Sequence, residues 1–290
     1  MTSQKFPPFQ AFITSNNLQK FIISFVLSVG ALVVAAPFIW MFSTALKETR
    51  QVYQLPPQLI PPVLHWENFL RAWNGSNFPR YFLNSAIMAT TISLGQVITG
   101  SLAAFAFARM QFKGKNILFY LVLGTMMIPS EMLLIPNFVI INALKWTNSY
   151  LALTVPFMAG AFGIFILRQH FMTIPQELED AATIDGCSRL RFLTNIVLPI
   201  SKPAFATVAV FTFINHWNAY IWPLIVTRDD SMRTIQVGLA VFKDAQMGGG
   251  SPDWTLLMAG STITLIPVLL IYGFAQQWFT QGYTTSGIRG

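Results

Sequence analysis

The sequence predicts an all-α integral membrane protein with six transmembrane helices. Of the 290 residues, 53% are hydrophobic and 10% are charged, and the mean hydropathy is +0.53. This composition lies outside the range of soluble globular domains. Six apolar runs are each long enough to cross a bilayer, since about 20 apolar residues in a helix span roughly 30 Å of hydrocarbon. The basic residues are scattered between these runs, which is typical of topology signals rather than of a nucleic-acid-binding face.

The six runs are expected to form a single transmembrane domain over residues 1–290. The first run has no charged residue and is much longer than the apolar core of a signal peptide, so we expect it to be retained as a span. An even number of spans places both termini on the same side. The runs lie near residues 21–46, 82–108, 117–142, 148–168, 203–226 and 255–278.

The connection between the second and third runs indicates which side this is. It contains Arg109, Lys113 and Lys115 without an acidic residue, whereas the connection after the third run contains only Lys145. Since positively charged loops tend to stay in the cytoplasm, both termini are expected to be cytoplasmic. Residues 169–202 are then cytoplasmic, and residues 47–81 and 227–254 are the two long external segments.

A short acidic helix is predicted inside the cytoplasmic segment, from the sequence PQELEDAATIDG at residues 175–186. Pro175 suits a first helical position, and acidic residues crowd the first turn, where they meet the positive end of the helix dipole. Gly186 is placed to end the helix. From these residues alone, a solvated loop helix with ordinary capping is an equally good interpretation.

One face of this helix is suited to a close contact. At about 3.6 residues per turn, Leu178, Ala181, Ala182 and Asp185 share a face, on which the two alanines would let another backbone approach. A second short helix is expected over residues 188–197, with Pro199 and Pro203 separating it from the fifth run.

The stretch ELEDAATIDGCSRLRFLTNIVLP resembles the signature of permease subunits of binding-protein-dependent ABC importers. That signature is a glutamate, two alanines, three residues and a glycine, followed by an isoleucine and Leu-Pro. Asp180 departs from it by replacing the glutamate, which keeps the charge but leaves the geometry of an ion pair open. RYFLNS, FINHWNAYIWPL and FTQGYTTSGIRG look like the carbohydrate-uptake branch, similar to the maltose and glycerol-phosphate permease subunits. The matching signature positions are Asp180, Ala181, Ala182, Gly186, Ile196, Leu198 and Pro199.

The resemblance implies that the acidic helix is a coupling helix, which docks into a cleft on an ATP-hydrolysing subunit. The residues expected at this contact are Glu177, Asp180, Ala181, Ala182, Asp185 and Gly186. The C-terminal tail is expected to reach the same interface through Gly287, Arg289 and Gly290. The implied setting is the bacterial plasma (inner) membrane. The implied partners are a second homologous permease subunit, two ATP-binding cassette subunits, an extracytoplasmic substrate-binding protein and membrane lipid, with no nucleic acid.

The sequence does not predict an enzyme. It contains no GxxxxGK[ST] motif, since Gly114-Lys115 lacks the upstream glycine and the following Ser or Thr. ATP and Mg²⁺ are therefore expected in the partner ATPase subunits, with no cofactor in this chain. Cys187 is the only cysteine, and the three histidines are far apart in sequence, so we predict no catalytic residue and no metal site.

Polar residues within the apolar runs are candidates for lining a substrate path, because their exposure to lipid is costly. Flat aromatic faces and amide groups suit a sugar. Alternatively, the aromatics form an interfacial belt and the asparagines bond across helices. The candidates are Glu131 in the third run and Asn215, Trp217, Asn218, Tyr220 and Trp222 in the fifth.

Glu131 is the one carboxylate within a span. It is expected to face a wet cavity, to pair with a cation or to be protonated. Pro129 and Pro136 could open the helix around it.

The expected function is that of the permease subunit of an ATP-driven importer. Its cargo would be a sugar or polyol derivative delivered by a binding protein: an oligosaccharide, a disaccharide, a glucosylglycerol or glycerol phosphate. The alternative is an ion-gradient-driven secondary transporter, which would call for several intramembrane ionisable groups, and only Glu131 qualifies.

Overall fold

A computed structural model describes residues 17–247 and 252–284, and all regular secondary structure in these residues is helical. The all-helical class is therefore confirmed. The α-helices are α1 (Asn17–Ala45), α2 (Glu67–Asn74), α3 (Phe78–Arg109), α4 (Lys115–Thr125), α5 (Leu134–Ala143), α6 (Tyr150–Thr154), α7 (Ala161–Met172), α8 (Gln176–Ile184), α9 (Arg189–Phe192), α10 (Leu198–Ile200), α11 (Lys202–Trp217), α12 (Ile221–Val226), α13 (Ile235–Met247) and α14 (Trp254–Thr284). 3₁₀ turns occupy Thr49–Tyr53, Ser130–Leu133, Val155–Phe157 and Asp230–Met232, and a π-helical turn occupies Leu193–Val197.

The described residues contain three to six candidate membrane spans. Helices satisfy their own backbone hydrogen bonds, as lipid requires. Three helical segments are long and apolar enough to cross alone: Gln19–Ala45, Phe78–Arg109 and Trp254–Gln277. Three bent pairs bring the number to six if each is one span: Lys115–Thr125 with Ser130–Ala143 at 92°, Tyr150–Phe157 with Ala161–Met172 at 40°, and Arg189–Ile200 with Lys202–Trp217 at 82°.

The third apolar run is broken at its middle. α4 ends at Thr125, and Pro129 has a non-helical ψ of 132° before a 3₁₀ turn leads into α5. Proline has no N–H to donate and disfavours a helical residue before it, which agrees with the expected opening at Pro129. Pro136 lies instead in the first turn of α5, where N–H groups have no partner within the helix.

The fifth apolar run contains two helices rather than one. α11 ends at Trp217, and Asn218 leaves the helix with a ψ of 0°. The N–H of Ala219 donates to the His216 carbonyl and closes a tight turn. α12 then begins at Ile221, so residues 218–220 form a break within the run.

α3 is the central helix and packs along both α7 and α11. Small residues allow this close approach, since a Cβ on Gly100 would lie 3.5 Å from the backbone carbon of Gly163. A Cβ on Gly163 would in turn lie 3.1 Å from Cγ1 of Val208. Such small-residue contacts are typical of helices that associate in lipid.

The two ends of α3 contact different loops. Near its N-terminus, Arg80 and Asn84 each donate to the Ser231 carbonyl at 2.9 Å. At its C-terminus, Arg109 donates to the Phe171 carbonyl near the end of α7 and to Gln176 at the start of α8. The 32 residues of α3 extend about 48 Å at a rise of roughly 1.5 Å per residue, more than the ~30 Å of hydrocarbon. The loop around Ser231 and helix α8 therefore lie at opposite ends of a helix that is long enough to cross the membrane.

α1 lies on the outside of the bundle, where it packs against α14. None of the residues in its most apolar stretch is buried, and Leu27 and Val34 are 68% and 69% exposed. An apolar helix with this exposure is suited to contact with lipid or with another membrane subunit.

Candidate functional site

A cavity of about 620 Å³ forms between the broken third run and the broken fifth run. We call it the central cavity. Its lining includes Ser130 and Glu131 from the turn before α5, and Asn215, Asn218, Tyr220 and Trp222 from the region around the end of α11. Two chain breaks thus bring together five of the six residues predicted for the substrate path, whose role remains a prediction.

Trp217 is the sixth, and it does not line the central cavity. Its side chain is 1% exposed, and its Nε1 donates to the Thr264 carbonyl at 3.0 Å. Its ring stacks with Phe213 and meets Phe82 edge-on. Trp217 thus packs between helices, which is neither the cavity wall nor the interfacial belt expected from the sequence.

Glu131 faces the central cavity from the 3₁₀ turn at the break. Its Oε1 accepts a hydrogen bond from Ser130 Oγ at 3.1 Å, and its side chain is exposed. A carboxylate is costly in hydrocarbon, whereas a wet cavity can hydrate it. This geometry corresponds to the first of the three situations expected for Glu131, in which the carboxylate faces a wet cavity.

A second cavity of about 410 Å³ shares Asn215 and His216 with the central cavity, and we call it the side cavity. Gln96 lines it, donates to the Phe157 carbonyl at 2.9 Å and accepts from Thr212 at 3.0 Å. Gln96 was not predicted as a site residue, although an amide within the apolar run of α3 is a signal of a polar contact.

Asn218 connects the break after α11 to α13. Its Nδ2 donates to the Ile214 carbonyl at 3.0 Å, and its Oδ1 accepts from Gln236 at 3.2 Å. It also lines a small cavity of about 140 Å³ next to α14. The amide therefore bonds between helices and faces the central cavity as well.

The acidic helix forms within the predicted residues as α8. It begins at Gln176, one residue after Pro175, and its first turn contains Glu177 and Glu179. Gly186 has a φ of +71°, and its N–H donates to the Thr183 carbonyl. The N–H of Cys187 donates to the Ala182 carbonyl at 2.8 Å. These two bonds are the pattern of a glycine C-cap, which is the role expected of Gly186.

The predicted contact face of α8 is only partly available to a partner. Ala182 is 6% exposed and packs with Phe171 and Phe192 in the core of this chain. Leu178, Ala181 and Asp185 are exposed, and Ile184 is 86% exposed. Asp180 and Gly186 are also exposed.

Two further expectations concern the C-terminal tail and metal binding. Gly287, Arg289 and Gly290, predicted to reach the ATPase, lie outside the described residues. Between residues 17 and 247 and from 252 to 284, no group of three or more His, Cys, Asp or Glu side chains could hold a metal ion.

Comparison with known proteins gives a consistent picture. A family model described as "Binding-protein-dependent transport system inner membrane component" matches residues 96–285. The chain is 37% identical over 266 residues to the sn-glycerol-3-phosphate transport system permease protein UgpE of Yersinia pestis bv. Antiqua (strain Antiqua), covering 90% of this chain and 94% of the relative. The UgpE protein of Escherichia coli O1:K1 / APEC has the same identity and the same coverage.

Two solved structures share the fold. A bacterial ABC transporter involved in the import of the acidic polysaccharide alginate matches with a TM-score of 0.79 and 23% identity, over 95% of this chain and 100% of that one. A bacterial alginate ABC transporter in complex with an alginate pentasaccharide-bound periplasmic protein matches with a TM-score of 0.63 and 15% identity, over 89% and 94%.

Proposed function

The chain belongs to the family of binding-protein-dependent transport system inner membrane components, and from this premise we propose that it carries a sugar or polyol derivative through the central cavity while an ATPase docks on α8. It is a multi-pass permease of an ABC importer and not an enzyme. The ATPase is a separate protein in such systems, so ATP and Mg²⁺ belong to the partner. Family membership also decides against the ion-gradient-driven alternative.

The lining of the central cavity supports a hydroxyl-rich cargo. It combines amides, a carboxylate and aromatic rings, which suit the hydroxyl groups and apolar faces of a sugar. Its volume of about 620 Å³ lies within the ~300–1,000 Å³ of typical small-molecule sites. The relatives carry sn-glycerol-3-phosphate in their name or alginate in their description, and both are hydroxyl-rich.

The observation that carries the coupling proposal is the position of α8. It lies at the C-terminal end of α3, on the side opposite the loop around Ser231. This is also the side of Lys113 and Lys115, which we expect in the cytoplasm together with both termini because positively charged loops tend to stay there. The exposed surface of α8 includes Asp180, Ile184 and Asp185.

This arrangement calls for several partners. One chain offers few helices to enclose a path, so a second homologous permease subunit would complete it. Two ATP-binding cassette subunits would bind the cytoplasmic side, one of them at α8. An extracytoplasmic binding protein would deliver cargo to the opposite side, as the family description implies.

A change at the end of α8 tests the coupling proposal. Gly186→Pro imposes a φ near −65° where the chain has +71°. We expect loss of ATPase copurification and of ATP-dependent uptake, as for deletion of residues 177–186. The matched control is Gly114→Pro, at a glycine with a φ of +82° at the start of α4, which should keep the ATPase bound. Unchanged association and uptake in Gly186→Pro would reject the coupling role.

The cargo proposal has its own test. The transporter, reconstituted in vesicles with its binding protein, is offered neutral disaccharides, glucosylglycerol, glycerol phosphate and, as a comparison, an amino acid. We expect ATP-dependent accumulation of a hydroxyl-rich solute. Accumulation of the amino acid alone would overturn this assignment.

A further inference from the structure

Arg109, the last residue of α3, lies where three helices meet. Its Nη2 donates to the Phe171 carbonyl in the last turn of α7 at 2.8 Å, and also to the Ile174 carbonyl just after α7. Its Nη1 donates to Gln176 Oε1 at 3.0 Å, at the start of α8. One guanidinium group thus joins the end of α3, the end of α7 and the first turn of α8.

The charges around Arg109 favour this position. Its side chain is only 7% exposed, so it needs partners in place of water. The C-terminal carbonyls of α7 provide negative partial charge. Glu179 provides a full negative charge, with Oε2 at 3.5 Å from Nη1.

Glu179 depends on Arg109 in return. Its Oε2 is buried and has no hydrogen-bond partner within the part of the chain that the structure describes. A buried carboxylate oxygen without a donor needs compensation from a nearby positive charge. The cation that lies within ion-pair distance of it is Arg109.

α3 connects this contact to both cavities. Met88 lines the central cavity and Gln96 lines the side cavity, and both lie on the same unbroken helix as Arg109. The third and fifth runs are broken, so a displacement along them can be absorbed at the break. An unbroken helix transmits a shift or tilt at the cavities to its end.

We propose that Arg109 is a positioning residue that ties α8 to α3, so that movement of α3 at the cavities moves the docking helix. This inference rests on the proposed function, in which α8 is the contact for the ATPase. Arg109 itself does not touch the cargo. Arginine suits the task because its planar fork reaches several acceptors at once, whereas lysine carries a single ammonium group.

The first test uses Cys187 as a reporter. It is the only cysteine of the chain and packs, half-buried, against the core cluster that contains Ala182. In the assembled transporter, Arg109→Gln should raise the rate of Cys187 alkylation about tenfold, as expected for the loss of roughly 1.4 kcal/mol of docking. Lys113→Gln, the same charge change at an exposed residue of the loop that follows α3, should leave the rate unchanged. Peptide mass spectrometry of this chain measures both.

The second test measures coupling, which a merely structural arginine would not alter. In vesicles, Arg109→Gln should lower the amount of solute transported per ATP hydrolysed, and Arg109→Lys should restore part of it because the charge next to Glu179 returns. Glu179→Gln is the second variant, for use if Arg109→Gln does not fold. It should raise the rate of Cys187 alkylation by a smaller factor.

The outcomes separate this inference from the proposed function. The role of Arg109 would be overturned if Arg109→Gln left both the Cys187 alkylation rate and the transport ratio at wild-type values. It would also be overturned if Lys113→Gln altered both quantities as much as Arg109→Gln does. Faster alkylation in Arg109→Gln together with an ATPase that still copurifies after deletion of α8 would support the tie between α3 and α8 and refute the docking role.

Discussion

Asp230 fixes the start of α3 to the loop before α13. Its Oδ1 accepts hydrogen bonds from the Tyr81 hydroxyl and, at 3.0 Å, from Arg233. Its Oδ2 accepts from Asn77 at 3.2 Å. The hydrogen bond from Tyr81, aided by those from Asn77 and Arg233, holds the pKa of Asp230 below its usual value.

This carboxylate should contribute to stability above acidic pH. Because the pKa is lower in the folded state, the contribution is complete above the ordinary value of 3.8 and is lost as pH falls through the folded pKa. Asp230→Asn should therefore lower the melting temperature in detergent at pH 7, by a modest amount since the group is half exposed and such pairs give about 1 kcal/mol or less. As pH falls below 3.8, the difference from wild type should shrink, and it should vanish once the pH is below the lowered pKa of the folded state. Asp244→Asn, at an exposed residue of α13, is the control, and an equal loss there would contradict the assignment.

Glu131 should contribute a charged acceptor to the central cavity. A hydrogen bond to a charged group is worth about 1 kcal/mol more than a neutral one, so Glu131→Gln should lower the initial uptake rate roughly fivefold, and Glu131→Ala should lower it further. Glu67→Gln, at the exposed first residue of α2, should transport at the wild-type rate. Uptake by Glu131→Ala at the wild-type rate would remove the carboxylate from the substrate path.

At the residue scale, the sequence shows which polar groups are unusual but not where they point. Glu131 and Asn218 stand out in apolar runs, and both face the central cavity. Trp217 stands out equally and is enclosed among α3, α11 and α14. Gln96 has a weaker signal, and its role depends on Gly160, where a Cβ would lie 2.8 Å from Oε1 of Gln96. Such a fit depends on three-dimensional packing, which spacing along the chain does not encode.

At the element scale, local chemistry predicts helix ends better than helix breaks. The end of α8 follows from Gly186, because glycine adopts a positive φ at little cost. The second short helix was expected over residues 188–197, and helical structure there runs from Arg189 to Ile200 through a π-helical turn. No proline predicts the break after Trp217, since Pro223 lies further along the chain, inside α12.

The exposed surface of α8 gives a prediction for the docking contact. Ile184 is 86% exposed, so Ile184→Asp should not destabilise the isolated chain but should weaken ATPase copurification by about tenfold if an apolar side chain is buried there on docking. Leu55→Asp is a matched control, since Leu55 is 89% exposed and lies between α1 and α2, in a segment predicted to be external. Equal copurification of the two variants would show that Ile184 does not contact the ATPase.

At the scale of the whole molecule, the hydrophobic composition and the lengths of the apolar runs predict the fold class. The arrangement of the helices depends on how they pack around α3. Apolar runs identify the helices, because lipid requires internally bonded backbone. Their arrangement around α3 depends on close contacts such as Gly100 with Gly163. The exposed apolar surface of α1 is suited to contact with lipid or with another membrane subunit.

Orientation is the property of the whole molecule that most directly decides the proposed mechanism. If α8 meets a cytosolic ATPase, Cys187 must be reached from the cytoplasmic side. A membrane-impermeant maleimide should therefore label Cys187 in inside-out vesicles and not in right-side-out vesicles. The reverse pattern is expected for Ile60→Cys in a Cys187→Ser background. Ile60 is 81% exposed in the segment between α1 and α2. The 29-residue helix α1 lies between this segment and the N-terminus, so we expect the segment on the opposite side of the membrane from the N-terminus. Labelling of Cys187 from the outside would place α8 away from any cytosolic ATPase and refute the coupling mechanism, even though the fold and the family would stand.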